Sequence, residues 1–265
     1  MTTSVQASAA MPRGHERQVP PLGGFNLTAL KLEVRRVLRN RRTVMFILVF
    51  PSVFFFMFGL SSKGQVKGGA SAIAYVMISM AVYGAMVGTT AGGAAVAVER
   101  SLGWSRQLRL TPLRPGAYVA MKVLTAMTLG LIAIVAEFAV GAISGVHLAP
   151  HVWLLSGLAG WLGSFVFAAF GLFMGFLLPS ENVMQFVGPL LAVLAMFGGL
   201  FIPLSALSPT MRTVAHFSPV WGVGVIARAP LVGDFSSGAI MSIVAWTLVF
   251  GAGAMALFRR DTARV

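Results

Sequence analysis

The side chains that could do chemistry in this chain are few, and their spacing does not build a catalyst. Asp234 and Asp261 are its only aspartates, and both fall outside the long apolar stretches, so a two-aspartate site within those stretches has no pair to use. No Gly-x-Ser-x-Gly elbow occurs, nor any Gly-x-x-x-x-Gly-Lys-Ser/Thr string to cradle a nucleotide phosphate. Cysteine is absent, which excludes disulfide, thiolate and cysteine–zinc chemistry. Of the histidines at 15, 147, 151 and 216, only His147 and His151 have a helical-turn spacing. Pro150 between them favours a loop, so they read as ordinary interfacial histidines. No catalytic, cofactor-binding or metal-binding residue is therefore expected here. One group stands apart: Glu137, the only acid well inside an apolar stretch. A charged acid at mid-bilayer costs about 2.5–3.5 kcal/mol, so Glu137 must be neutral, paired or wet. It can serve an internal cavity or a protonation step, or make a structural hydrogen bond to a neighbouring helix. Phe54, Phe58 and Phe201 join it as candidates for lining an apolar path, with lipid contact the plainer reading of most phenylalanines.

The elements that must position these residues are six apolar stretches, near Thr43–Leu60, Ala70–Val98, Ala117–Ile143, Val152–Leu178, Val183–Leu204 and Gly238–Phe258. A span needs roughly 20 residues. At 57% hydrophobic and only 10% charged, the 265-residue chain has too little polar surface for a soluble globule, for which about 25% charged residues is usual. The expected class is all-α, a polytopic membrane protein of six transmembrane helices occupying residues 43–258. Pro51 should bend the first span. Gly84, Gly88 and Gly92 repeat every four residues in the second, and Gly160, Ser164 and Ala168 do so in the fourth, small-residue faces suited to close helix packing.

A net charge of +13 would otherwise suggest nucleic acid, but its distribution follows topology. Sixteen of the 20 Lys and Arg residues lie in the segment before the first span, in the Glu99–Lys122 region and at the C-terminus; Lys63, Lys67, Arg212 and Arg228 lie on the other side. By the positive-inside bias, both termini and the Glu99–Pro115 loop are expected in the cytoplasm. Residues 1–24 lack the apolar core of a signal peptide and read as a flexible cytoplasmic tail, and residues 259–265 as a cytoplasmic C-terminus. Within residues 25–42, Leu27, Leu30, Val34, Val37 and Leu38 share one helical side, and Lys31, Arg35, Arg36, Arg39 and Arg42 flank it, with Asn26 as N-cap. This describes an amphipathic elbow lying in the headgroup layer, attracted to anionic lipid; without interleaved aromatics it is not a nucleic-acid surface.

Between the second and third spans stands ERSLGWSRQLRLTPLRPGAYVAMKVL, Glu99 to Leu124. The string resembles permease subunits of ABC transporters of the type-2 exporter family, especially daunorubicin-resistance-like permeases. The matching positions are Glu99, Arg100, Gly103, Leu108, Arg109, Thr111, Pro112, Leu113 and Lys122. Ser101 and Trp104 depart from it, where an acid and a threonine are frequent. From the residues alone, Arg100–Leu110 can form a short helix stopped by Pro112, with Leu102, Arg106 and Leu110 as a ridge and Trp104 nearby. Such a helix could pass a push from a docked partner into the membrane, or the loop could simply fix topology. The resemblance favours a coupling helix contacting an ATPase through Glu99, Arg100, Leu102, Gly103, Trp104, Arg106, Leu108, Arg109 and Leu110.

A second resemblance lies at Gly198–Leu231, where Phe201, Pro203, Pro209, Pro219, Trp221 and Arg228 keep the family's order, although Thr210 and Met211 replace a frequent aromatic. It implies short re-entrant helices on the outer side; a plain interfacial loop is the alternative. Ser208 and Pro209 form a good helix start. Together the likeness implies the membrane subunit of an ATP-driven exporter for a hydrophobic or amphiphilic cargo such as a drug, lipid or glycolipid, in a bacterial cytoplasmic membrane. The resemblance also implies a second permease copy, identical or similar, and separate ABC ATPases that bind ATP and Mg. The rival reading, an ion-gradient carrier, predicts repeats and several intramembrane ionisable groups, of which Glu137 is the single example.

Overall fold

Asn26 caps the first described helix: its Oδ1 accepts the Thr28 N–H at 2.7 Å, and helix α1 (Leu27–Leu38) follows. The computed structural model describes residues 25–61, 64, 70–103, 115–180 and 183–263, and every regular element among them is a helix. The expected tail at 1–24 lies outside the described residues, as do Trp104, Arg106, Leu108, Arg109 and Leu110 of the expected coupling helix.

After α1, a continuous helical run, α2, joins Arg41–Val44, a π-helical turn Met45–Val49, Phe50–Phe54 and a second π-helical turn Phe55–Gly59. Pro51, where a bend is expected, lies between the two π-helical turns. Proline supplies no N–H, and wider turns on either side accommodate the lost bond. Ser52 helps, its Oγ lying 2.9 Å from the Leu48 carbonyl. The loosened stretch packs where the next helix is thinnest: a Cβ on Gly84 would lie 3.2 Å from both the Ile47 carbonyl oxygen and Pro51 Cγ.

That next helix, α3 (Ala72–Ala94, then Val96–Ser101), is buried on nearly all sides, as an all-round apolar helix should be. It is the axis of the molecule. Its Gly84, Gly88 and Gly92 face α4 (Pro115–Ile143), where built Cβ atoms would lie 3.3 Å from Ala133 Cβ, 3.3 Å from the Leu129 carbonyl and only 2.6 Å from Ala126 Cα. Helix α5 is Pro150–Gly163 continued by Phe165–Leu177, and α9 is Ser237–Ala263. Of these, α3, α4, α5 and α9 are long and apolar enough to cross a membrane.

Two of the six expected spans are shorter apolar helices. The first is Met45–Gly59 within α2. The other, α6 (Val183–Phe197), stops because Gly199 adopts a left-handed φ of +83°; the Leu200 N–H then bonds back to the Ala195 carbonyl at 3.0 Å. The expected continuation to Leu204 therefore fails at a glycine C-cap. A 3₁₀ turn Leu204–Ala206, a short α7 (Pro209–His216) and α8 (Pro219–Val232) follow, with Ser208 and Ser218 capping the last two through bonds to Met211 N and Val220 N.

Candidate functional site

The first two residues of the distinctive loop string lie at the end of α3 rather than in a separate helix, since α3 runs to Ser101. Consecutive helical residues point about 100° apart, and Glu99 and Arg100 accordingly reach opposite neighbours.

Glu99 is buried, with only 4% of its surface exposed. Its Oε2 accepts the Tyr118 hydroxyl of α4 at 2.6 Å. Its Oε1 accepts from Lys122 of α4 and, at 2.5 Å, from Arg36 Nη2 of α1. Lys122, equally buried, also donates to Glu33 of α1 at 2.5 Å, and Glu33 in turn pairs with Arg36 at 2.7 Å. Two carboxylates and two cations thus close a neutral ring, which is how charges survive burial. Burial alone lowers the Arg36 guanidinium. Its hydrogen bond to Glu99 and the charges of Glu33 and Glu99 more than offset this and hold it above its ordinary value.

Arg100 turns the other way. Its Nε and Nη2 bond the two carboxylate oxygens of Asp261 in α9 at 3.1 and 3.0 Å. Its Nη1 caps the free carbonyls of Gly175 and Phe176 at the end of α5, at 3.1 and 2.9 Å. A cation at the last carbonyls of a helix is favoured by the dipole as well as by the bonds. Two neighbouring residues of α3 therefore tie α1 and α4 on one side and α5 and α9 on the other. The end of the bundle where this clasp sits is called basal, and the opposite end apical.

Beyond the clasp, Leu102 is 72% exposed and Gly103 takes a left-handed φ of +72°, where the described chain stops before resuming at 115. In α1, Leu30, Glu33, Val34 and Val37 are half-buried, whereas Lys31, Arg35 and Arg39 are exposed. The elbow thus leans one side on the bundle. Sequence reasoning singled out neither Glu33 nor Asp261 and quoted Lys122 only as a matching position. The available signal was that these acids sit beside basic stretches, which a count of Lys and Arg alone ignores.

The other expected site residues cluster around α2. Phe54 stacks on Phe58 at 5.7 Å and on Phe201 at 5.0 Å, while Tyr83 of α3 meets Phe201 at 4.8 Å. Glu137 is buried on α4 with its Oε2 2.8 Å from Ser52 Oγ, one residue after Pro51. Ser52 has one hydrogen and lies within bonding reach of both the Leu48 carbonyl and Glu137. It can donate to only one of them at a time. Glu137 Oε1 has no partner among the described residues.

Residues 26–232, well over half of the chain, match the ABC-2 type transporter family. The chain belongs to that family. It is also 28% identical over 194 residues to YvfS of Bacillus subtilis (strain 168), a protein named as a transport permease, with 72% of this chain and 79% of the relative covered. This permease is accordingly a multi-pass membrane protein, and the clasp joins five of its helices beside the point where α3 ends.

Proposed function

We propose that this permease is the membrane half of an ATP-driven exporter and that the clasp is the joint through which a separate ATPase moves it. The observation that carries the reading is the pairing of Glu99 and Arg100 with four other helices at the root of the 104–114 segment. A displacement of that segment cannot stay local; it must shift α1, α4, α5 and α9 together or break buried ion pairs. Exposed Lys31, Arg35 and Arg39 on α1 flank the same end and supply further contact for an acidic ATPase surface or for anionic lipid. The basal end, with its excess of Lys and Arg, faces the cytoplasm of a bacterial inner membrane. Two copies of the chain, or this chain with a similar one, enclose the path, and ATP and Mg bind the ATPases. Closure of an ATP-loaded ATPase pair favours the outward-open arrangement because nucleotide binds that state more tightly. The cargo is an amphiphilic or hydrophobic molecule.

Co-purification with candidate ATPases and an assay of their hydrolysis tests this. Replacing Arg106, Arg109 and Leu110 together by alanine should abolish association, whereas Glu99→Gln should leave association intact and lower transport per ATP. Cargo movement driven by a proton or sodium gradient, with nucleotide irrelevant, would overturn the reading.

A further inference from the structure

A cavity of about 700 Å³ opens at the apical end between α3, α8 and the Pro203–Ser205 turn, with Tyr75, His216, Trp221, Arg228 and Asp234 among its walls. It stands about 36 Å along α3 from Glu99, taking the usual 1.5 Å rise over the residues from Tyr75. Its size is that of a small-molecule site, roughly 300–1,000 Å³.

Arg228 decides its chemistry. The side chain is 4% exposed, and its guanidinium carbon lies 4.5 Å above the Tyr75 ring. Both hydrogens of Nη1 are used, one by Ser79 Oγ at 2.9 Å and one by the Gly199 carbonyl at 3.1 Å. Ser79 can accept because its own hydrogen goes to the Tyr75 carbonyl at 2.8 Å. The donors on Nη2 and Nε have no hydrogen-bond acceptor among the described residues, although the residue lines the cavity. Neither nitrogen is sealed from solvent without a partner, so both can be reached from the cavity. The arrangement holds one nitrogen rigidly and leaves the rest of the fork open, which suits bidentate capture of an oxyanion.

The walls indicate what carries the anion. Trp221, with His216 edge-on to it at 4.6 Å, and Leu204, Val225 and Val232 give an apolar surface on which a non-polar body can lie. We infer that this cavity binds the phosphate or carboxylate head of an amphiphile, with Arg228 as the anion ligand and Trp221 as the platform for the adjoining apolar part. The inference deepens the exporter reading, on which it rests only for taking the ligand as cargo leaving at the apical side.

Full-length protein in neutral maltoside detergent, with no ATPase present, is titrated with dihexanoyl phosphatidic acid, inorganic phosphate and octyl glucoside, following tryptophan emission. Phosphatidic acid should give a saturable change, weakened about tenfold or more in Arg228→Gln, as loss of charge-assisted bonds requires, and unaltered in Arg260→Gln. The emission change should vanish in Trp221→Phe. Val225→Phe, which keeps Arg228 but fills the cavity, should weaken binding likewise and decides the matter if Arg228→Gln does not fold. Inorganic phosphate binding as tightly as phosphatidic acid, with the same variant dependence, would support the anion site and assign it to a free anion instead of a headgroup. No saturable binding, octyl glucoside binding as well as phosphatidic acid, or native affinity in the variants would overturn the inference. Because no ATPase is present, such a failure leaves the exporter reading standing, and failure of ATPase association leaves these titrations unchanged.

Discussion

The basal and apical ends of the bundle use buried arginine and lysine in opposite ways. At the basal end Lys122, Arg36, Glu33 and Glu99 satisfy one another, and Arg100 spends its donors on Asp261 and two carbonyls. At the apical end Arg228 is anchored through one nitrogen, with its other donors unmatched by any described residue. A saturated network resists change because every departure leaves a charge unpaired in a poor solvent. An unsaturated cation gains from a visitor. The difference teaches that charge burial alone does not identify a binding site; the count of unmatched donors does.

The sharpest way to break this contrast is Lys122→Ala, which removes the buried cation and leaves Glu33 and Glu99 to share the half-exposed Arg36. A loss of about 3–5 kcal/mol is expected, read as a lower midpoint of thermal aggregation in detergent. A second break acts on the helix that joins the two ends. Gly92→Ala forces a methyl to within 2.6 Å of Ala126 Cα and should cost about 1–3 kcal/mol, whereas Gly88→Ala, at 3.3 Å from Leu129, should cost clearly less. Heating the two variants side by side checks the order.

Ser79→Ala sharpens the apical half. It removes one acceptor from Arg228 and should lower stability by about 1 kcal/mol while leaving the fork free to take an anion. Weakest of all should be Arg36→Ala. Its side chain is 55% exposed although it touches Glu99, so solvent screens the pair and about 0.2–1 kcal/mol or less is expected, shrinking further at high salt. A cost for Arg36→Ala equal to that for Lys122→Ala would refute the ranking.

Much of the fold was legible. The apolar runs that became α4 and α9 were read at 117–143 and 238–258 and end within a few residues of the helices themselves, because each is long and uninterrupted. The fifth apolar stretch reads on to Leu204 because hydropathy continues through Leu200–Leu204, while in the structure Gly199 turns the backbone. The clasp was half legible. Glu99 and Arg100 stood out by resemblance, but their partners lie 63, 23 and 161 residues away in sequence for Arg36, Lys122 and Asp261. Periodicity reports the face of one helix and carries no information on which distant helix covers it. Arg228 reads from the sequence as an outer charge, since composition cannot distinguish a basic residue in solvent from one held over a tyrosine ring.

The most direct test of the joint replaces Glu99 and Lys122 together by methionine, so that the pair goes without leaving either of its charges alone. With ATPase subunits bound in vesicles, ATP hydrolysis and cargo movement are measured in parallel. Hydrolysis should persist and association hold, while cargo moved per ATP falls at least about tenfold, equivalent to about 1.4 kcal/mol of lost coupling. An unchanged ratio of cargo to ATP would contradict the clasp as the path of force.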